Sequence, residues 1–443
     1  MKIHAIGGYS EFGRNMTGIT VGEDTVLFDC GISVDQVIKL QEKGLDYTEL
    51  PPQALYEAEV IPDDREFFKK YGKQVRAIII DHGHLDHVAA VEKIAEKYKG
   101  IPIIATAFTL EIIKQKLTKR SHLHKRFVQL NAKSTYKIND RLSIEFIYAT
   151  HSIPQTVMGC LHTPEGKVLY AVDFKFDEHP VLGQKTDYAR LRQLGKQGVK
   201  ALLTDCTRVD RDGRTYSESI VKNMLEDTFA FINTKNRGII VTTFASHIAR
   251  LTTLVQTAKK MKRTPVLLGR SMWNYVTAAE NIGLCNISKK AVLVHPRETR
   301  KMLREIEKAG REKYFMIMTG HQGEPNSMLV RIAQDEIDFK LLPDDIVVFC
   351  SEEIPSPVNA ANRNMLKKNL KNKGARIFDE VHVSGHVARE DMREFLKMIK
   401  PQNYIPCHGG LLKLSSAVKL ANELGYKLGE DVHLLQDGQE LDL

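Results

Sequence analysis

Asp81-His82-Gly83-His84-Leu85-Asp86-His87 packs three imidazoles and two carboxylates into seven consecutive residues. Residues 75–80 before it form an apolar, β-branched run, and residues 88–98 after it repeat apolar side chains at helical spacing, so the cluster is predicted on a strand-to-helix loop. Neutral imidazole and ionised carboxylate are the usual nitrogen and oxygen ligands of zinc, and a strand end can fix several of them at once. His82 and His84, two apart, can clasp one ion, while Asp86 and His87, adjacent at the helix start, can reach a second. With 16 histidines in 443 residues, the pattern His-x-His-x-Asp-His arises by chance on the order of 10⁻³ times in such a chain, so it is read as a motif with a mechanism rather than as exposed loop residues.

At 443 residues and 42% hydrophobic content the chain can bury a large core and is expected to form roughly two or three soluble domains. A net charge of +9 and a pI near 9.0 favour a polyanionic partner, nucleic acid being the natural candidate. Charge alone describes a solvated basic surface equally well. The six cysteines, at 30, 160, 206, 285, 350 and 407, contain no Cys-x-x-Cys pair, and reduced thiols in the cytoplasm are expected. Met1 leads straight into an apparent strand, so no signal peptide is expected, and no run of about 18 apolar residues predicts a membrane span.

Along the chain one design recurs: an apolar strand delivers Asp or His at its carboxyl end. It places Asp29, His151, Asp173 and Asp205 in the first part and His386 and His408 in the last. Open α/β sheets carry their ligands at such strand ends. Asp29 could ligate an ion or hold a ligand histidine in its tautomer, with a turn-forming aspartate as the bland alternative. Between these parts the chemistry thins out into regular βα alternation, which predicts a separate doubly wound domain. The expected partition is 1–206, 207–360 and 361–443. Lys259, Lys260, Lys262 and Arg263 either line a nucleic-acid channel or form a solvated helix end.

The residues in this order resemble the metallo-β-lactamase superfamily and, within it, the β-CASP nucleases, over essentially the full length. Gly13-Arg14-Asn15-Met16, Thr243-Phe244-Ala245-Ser246, Thr319-Gly320 with Gln322-Gly323-Glu324-Pro325, and His382-Val383-Ser384-Gly385-His386 resemble the RNase J branch. The short stretch after His408 is similar to its archaeal members. The resemblance implies an α/β fold, an αββα sandwich interrupted by a doubly wound β-CASP domain. It implies a metal-dependent ribonuclease that degrades single-stranded RNA 5′ to 3′ from 5′-monophosphate ends.

The same resemblance implies one zinc ion on His82, His84 and His151 and a second on Asp86, His87 and His408, with Asp173 bridging and Asp29 behind the ligands; manganese is the alternative metal. Hydroxide attack on the phosphodiester then needs Asp86 within the catalytic set, His386 as general acid, and Asp205 orienting it or sharing the role. Ser246, His247, His382 and Ser384 are implied around the 5′ phosphate. Competing readings are an internally cutting β-CASP endoribonuclease and a non-catalytic scaffold on RNA or the ribosome. A homodimer and an RNA-decay assembly are the macromolecular partners considered.

Overall fold

The computed structural model describes residues 1–117, 120–354 and 356–443, and its strands lie in three sheets. The first has seven strands in the order Glu440–Asp442, Lys2–Gly7, Met16–Val21, Asp24–Phe28, Val75–Ile79, Ile103–Ala105 and Phe127–Gln129. The second has six: Asn403–Cys407, Ala201–Asp205, Gly166–Ala171, Val157–Thr163, Ser143–Tyr148 and Thr135–Lys137. Side chains alternate across a strand with period two, and here both faces are apolar. Val26 and Phe28 of the first sheet meet Val168, Tyr170 and Leu203 of the second in one core, with Phe28 stacked on Tyr170 at 4.7 Å. The intervening Leu27 faces the helices outside the first sheet, and Leu169 and Leu202 face those outside the second. The result is the expected helix–sheet–sheet–helix sandwich.

The third sheet is parallel throughout, in the order Val292–Leu293, Thr264–Leu268, Tyr314–Met318, Ile239–Thr242, Ile346–Phe349 and Arg376–Phe378. Ile239, Val241 and Ile317 pack to one side of it, and Ile240, Met316 and Val347 to the other. Helices therefore cover both faces, as a doubly wound domain requires. Its last strand pairs Ile346 with Arg376, beyond the return at 361 expected from the sequence. The connecting helix Pro357–Asn372 belongs to the same βα rhythm and carries none of the strand-end ligands that marked the outer parts.

The single helix expected over 88–98 is instead two short pieces, Leu85–Val88 and Val91–Ile94. The cause is local: the carbonyls of Leu85, Asp86 and His87 accept the backbone N–H groups of Ile32, Asn15 and Cys30 rather than all continuing a helical ladder. Gly31 makes this possible, since a Cβ there would lie 1.5 Å from the Asp86 carbonyl oxygen. Among the described residues, no helix is long and apolar enough to cross a membrane.

Because Phe28 is fully buried between the sheets, Phe28→Ala should cost about 3–5 kcal/mol of stability. Thermal denaturation followed by circular dichroism should show an earlier loss of structure; an unchanged midpoint would mean that the sandwich core relaxes around the lost ring.

Candidate metal centre

The strands Asp24–Phe28 and Val75–Ile79 are parallel neighbours, as are Gly166–Ala171, Ala201–Asp205 and Asn403–Cys407. Their carboxyl ends therefore lie along one rim of the sandwich, and Asp29, residues 81–87, Asp173, Asp205 and His408 all leave from it. His151 joins them from the residues following Ser143–Tyr148.

The seven expected ligands form two cradles that share Asp173. In the first, His84 Nδ1 lies 3.1 Å from His82 Nε2 and 3.2 Å from His151 Nε2, and Asp173 Oδ2 lies 3.5 Å from both of those partners. In the second, His408 Nε2 lies 3.5 Å from Asp86 Oδ2 and 3.4 Å from Asp173 Oδ1, while His87 Nε2 lies 3.7 Å from Asp86 Oδ2 and 3.5 Å from Asp173 Oδ2. Ligand atoms in a tetrahedral shell with bonds of about 2.1 Å stand about 3.4 Å apart. The cradles thus have the spacing of filled coordination shells. A further observation points the same way: Asp173 Oδ1 is buried without a hydrogen-bond partner, a costly state for an isolated carboxylate and a natural one for a ligand oxygen. The donor set fits divalent metal.

Each imidazole is aimed by a partner behind it. His82 Nδ1 donates to Asp81 at 2.8 Å, His87 Nδ1 to Asp29 at 2.7 Å, His151 Nδ1 to the Gly385 carbonyl at 2.7 Å, and His408 Nδ1 to Asn15 Oδ1 at 3.0 Å. Such bonds fix the tautomer and turn the other nitrogen toward the cradle, where Asn15 Nδ2 also stands 3.1 Å from His87 Nε2. Asp29 also accepts from Tyr170 at 2.9 Å and from the Asp81 amide at 3.3 Å, so the strand-end aspartate serves behind the ligands. Asp29, Asp173 and His408 all hold positive φ, at 60°, 65° and 54°, a region in which Asp and His are among the commoner non-glycine residues.

The electrostatics divide the ligands. Burial, then the neighbouring His82 charge, holds His84 well below the ordinary histidine range; burial likewise holds His151 down. For His82, burial and His87 oppose protonation, but Asp81 and Asp173 outweigh them and hold the ring up at about 9. Burial also opposes ionisation of Asp173, yet the facing His408, His386 and His87 keep its carboxylate well below the usual range.

His386 stands beside this set, its Nδ1 3.5 Å from Asp205 and 3.8 Å from Asp173. Burial lowers its proton affinity, but these two carboxylates raise the net value above the ordinary one. Asp205 is itself held by the backbone amides of Asp173, at 3.2 Å, and Thr207, at 3.0 Å. On the other flank, Ser246 Oγ lies 3.2 Å from His84 Nε2. Ser384 Oγ accepts the His386 amide at 3.2 Å. His247 turns away: it caps the helix Ile248–Lys260 and its Nε2 lies 3.3 Å from Glu218. His382 Nδ1 contacts Arg250 at 3.2 Å.

Arg250, fully buried, is a residue that sequence reasoning missed. Its guanidinium pairs with both Glu218 oxygens and donates to the Cys350 carbonyl at 2.8 Å and the Val383 carbonyl at 3.3 Å. It thereby ties the inserted domain to the returning segment that carries His382 and His386. Asn15 and Asp81, which aim two ligands, and Tyr275, whose phenol is raised by burial and then by Asp86, also went unassigned. Asp81 is the one with a local signal, since it directly precedes His82. Lys259 to Arg263 lie at the far end of the helix Ile248–Lys260, about 20 Å from Ser246 by helical rise. Arg263 is spent on the carbonyls of Thr234, Arg237 and Tyr314, which favours the structural reading of that run.

Comparisons with known proteins agree with this geometry. Residues 235–367 match the family described as "Ribonuclease J, beta-CASP domain", residues 25–229 the "Beta-lactamase superfamily domain", and residues 374–434 the "Zn-dependent metallo-hydrolase RNA specificity domain". The chain is 42% identical to "Ribonuclease J" of Methanocaldococcus jannaschii over 442 residues, covering 99% of this chain and 98% of that one. It is 39% identical to "Ribonuclease J" of Pyrococcus abyssi, covering 100% and 97%. Against "Ribonuclease J 1" of Streptococcus pyogenes the identity is 30%, covering 100% of this chain and 74% of the other. A solved structure titled as a protein of unknown function from Enterococcus faecalis V583 shares the fold, with a TM-score of 0.65 at 15% identity over 100% of this chain and 99% of that one.

Asp29→Asn keeps the side-chain shape but removes the charge that aims His87. It should weaken metal retention at the Asp86–His87–His408 cradle about 10–100-fold, read by competition against a chelator. Unaltered retention would separate Asp29 from metal binding.

Proposed function

The chain belongs to the ribonuclease J family, and from that premise we propose that this metal-dependent ribonuclease degrades single-stranded RNA 5′ to 3′ from 5′-monophosphate ends. The observation that supports the direction is the placement of Ser246 against the outer nitrogen of His84. It sets an anion-binding corner beside the first cradle. Ser246 lies just before the helix Ile248–Lys260, and helix N-termini favour anions through their unpaired amides. Ser384, whose Oγ accepts the His386 amide, lies next to Gly385, whose carbonyl meets the first-cradle ligand His151, while His247 and His382 engage the buried Glu218–Arg250 pair behind Ser246. A terminal phosphate held there stands at a fixed distance from the cradles, so each cut removes one nucleotide.

His82, His84 and His151 would hold one ion and Asp86, His87 and His408 the other, with Asp173 common to both. Two such ions supply polarisation of the scissile phosphodiester and acidify the attacking water. The imidazole-rich set favours zinc, with manganese the alternative. The residues of the chain do the rest. Asp173 and Asp205 face His386 Nδ1, which leaves Nε2 to pass a proton to the departing 3′ oxygen. Asp205, fixed by two backbone amides, positions that ring. The free thiols suit a reducing compartment, and we place the enzyme in the cytoplasm.

The test uses one RNA sequence in three forms. The 5′-monophosphate form should fall to mononucleotides at least tenfold faster than the 5′-triphosphate form, and the circle should stay intact. Cutting of the circle would make the enzyme an endoribonuclease, and no cutting of any form would leave a scaffold. His386→Ala should keep its metal content while turnover drops by about 10²–10⁴; normal turnover would remove it from the acid role. Ser246→Ala should narrow the preference between the two linear ends, and an unchanged ratio would move the phosphate site elsewhere.

A further inference from the structure

The parallel strands of the inserted sheet all deliver their loops to one edge. Ser246 follows Ile239–Thr242 there. Two strand positions along is Thr264–Leu268, and three along is Val292–Leu293, about 10 Å and 14 Å away at the usual spacing. Trp273 lies in the first turn of the helix Arg270–Asn281, which follows Thr264–Leu268, and His295 follows Val292–Leu293. Their rings meet edge to face at 4.9 Å and 81°. Both are partly exposed. His295 Nδ1 accepts the Arg297 amide at 3.3 Å, which orients its ring toward Trp273.

The aromatic pair opens onto a basic stripe. Arg297 follows His295 in the short turn Pro296–Glu298, and Arg300, Lys301, Arg304 and Lys308 fall within about 100° of arc on the helix Thr299–Ala309. All five are exposed. The buried Thr299, Leu303 and Ile306 occupy the opposite side, and Glu298, Glu305 and Glu307 flank the stripe rather than interrupt it. Of these cations, Lys301 has an acidic neighbour at 4.0 Å, Glu305. A π-face with a line of cations beyond it is the chemistry that takes single-stranded nucleic acid, one by stacking and the other by phosphate contact.

We propose that Trp273 and His295, with the stripe from Arg297 to Lys308, form a second binding track that holds the body of the RNA outside the catalytic cleft. Its direction rests on the 5′-end reading above. Ser384 follows Arg376–Phe378 at the other margin of the sheet, so Trp273 lies on the opposite side of Ser246 from Ser384, and on the 5′-end reading the body of the RNA leaves on that side. Long substrates are thereby retained between successive cuts.

Trp273 is the single tryptophan of the chain, so emission excited to the red of tyrosine absorption reports on this track. The metal-loaded protein is titrated with cleavage-resistant 5′-monophosphate phosphorothioate oligoribonucleotides. A chain of about 12 nucleotides should quench the emission, whereas a dinucleotide that saturates the cleft should not. Arg297→Glu, Arg300→Glu and Arg304→Glu together should weaken binding of the longer chain at least tenfold. The slope of log affinity on log salt should fall by about 2, with dinucleotide cleavage unchanged within twofold. Trp273→Ala should weaken the longer chain alone, and Trp273→Phe should restore it. Absence of quenching at saturation, or equal losses on short and long RNA, would overturn the track. Cutting of circular RNA with quenching retained would instead overturn the 5′-end reading and leave the track standing.

Discussion

A single buried carboxylate organises this molecule. Asp173 is 2% exposed and lies within 4 Å of His82, His87, His151, His386 and His408. An isolated ionised group in such a place is strongly disfavoured, so its presence requires counter-charge, which divalent ions held by these side chains would supply. Holding them fixes the architecture: the loops bearing these histidines come from both sheets and must converge on one rim. The face-to-face packing of Phe28 and Tyr170 holds the two halves of that rim together, and Tyr170 also reaches Asp29 behind His87. Core and site are therefore one structure, linked through one aromatic ring.

The inserted domain completes the site rather than merely covering it. Arg250 binds Glu218 from its own domain and the Val383 carbonyl of the returning segment, while Asp177 of the sandwich accepts the Glu218 amide at 2.8 Å. With both partners buried, removal of either would strand the other's charge. Ser246, beside His84, and Ser384, next to the Val383 carbonyl that Arg250 holds, are thus joined by charge pairing deep in the seam.

Much of the centre was legible in the sequence because its information is local. Residues 81–87 carry five donors on one loop, and Asp29, His151, Asp173, Asp205 and His408 each end an apolar run, so spacing and pattern marked them as candidates and the family resemblance sorted them into ligand sets. What escaped was set by contacts distant in the chain. Asn15 aims His408 across 393 positions, and Arg250 meets His382 across 132; no local pattern announces either pairing. The helix expected over 88–98 failed for a related reason. Its periodicity was sound, but the carbonyls at its start were claimed by Asn15, Cys30 and Ile32. The basic run ending in Arg263 shows the converse, since composition left it open between an RNA channel and a solvated helix end, while geometry assigned Arg263 to backbone carbonyls.

Asp29, Asp173 and His408 sit in left-handed backbone, a region that glycine and asparagine tolerate well. Glycine at these three points would ease the local conformation, and glycine or asparagine at the two aspartates would also remove a buried negative charge. The apoprotein is thus poised where selection for thermal endurance alone would erode the centre, because a more robust fold and an intact donor set pull these positions in opposite directions. A lineage selected for stability alone would be expected to keep the sandwich, the inserted sheet and the Arg250 clasp, and to surrender first the buried carboxylates gathered at the rim.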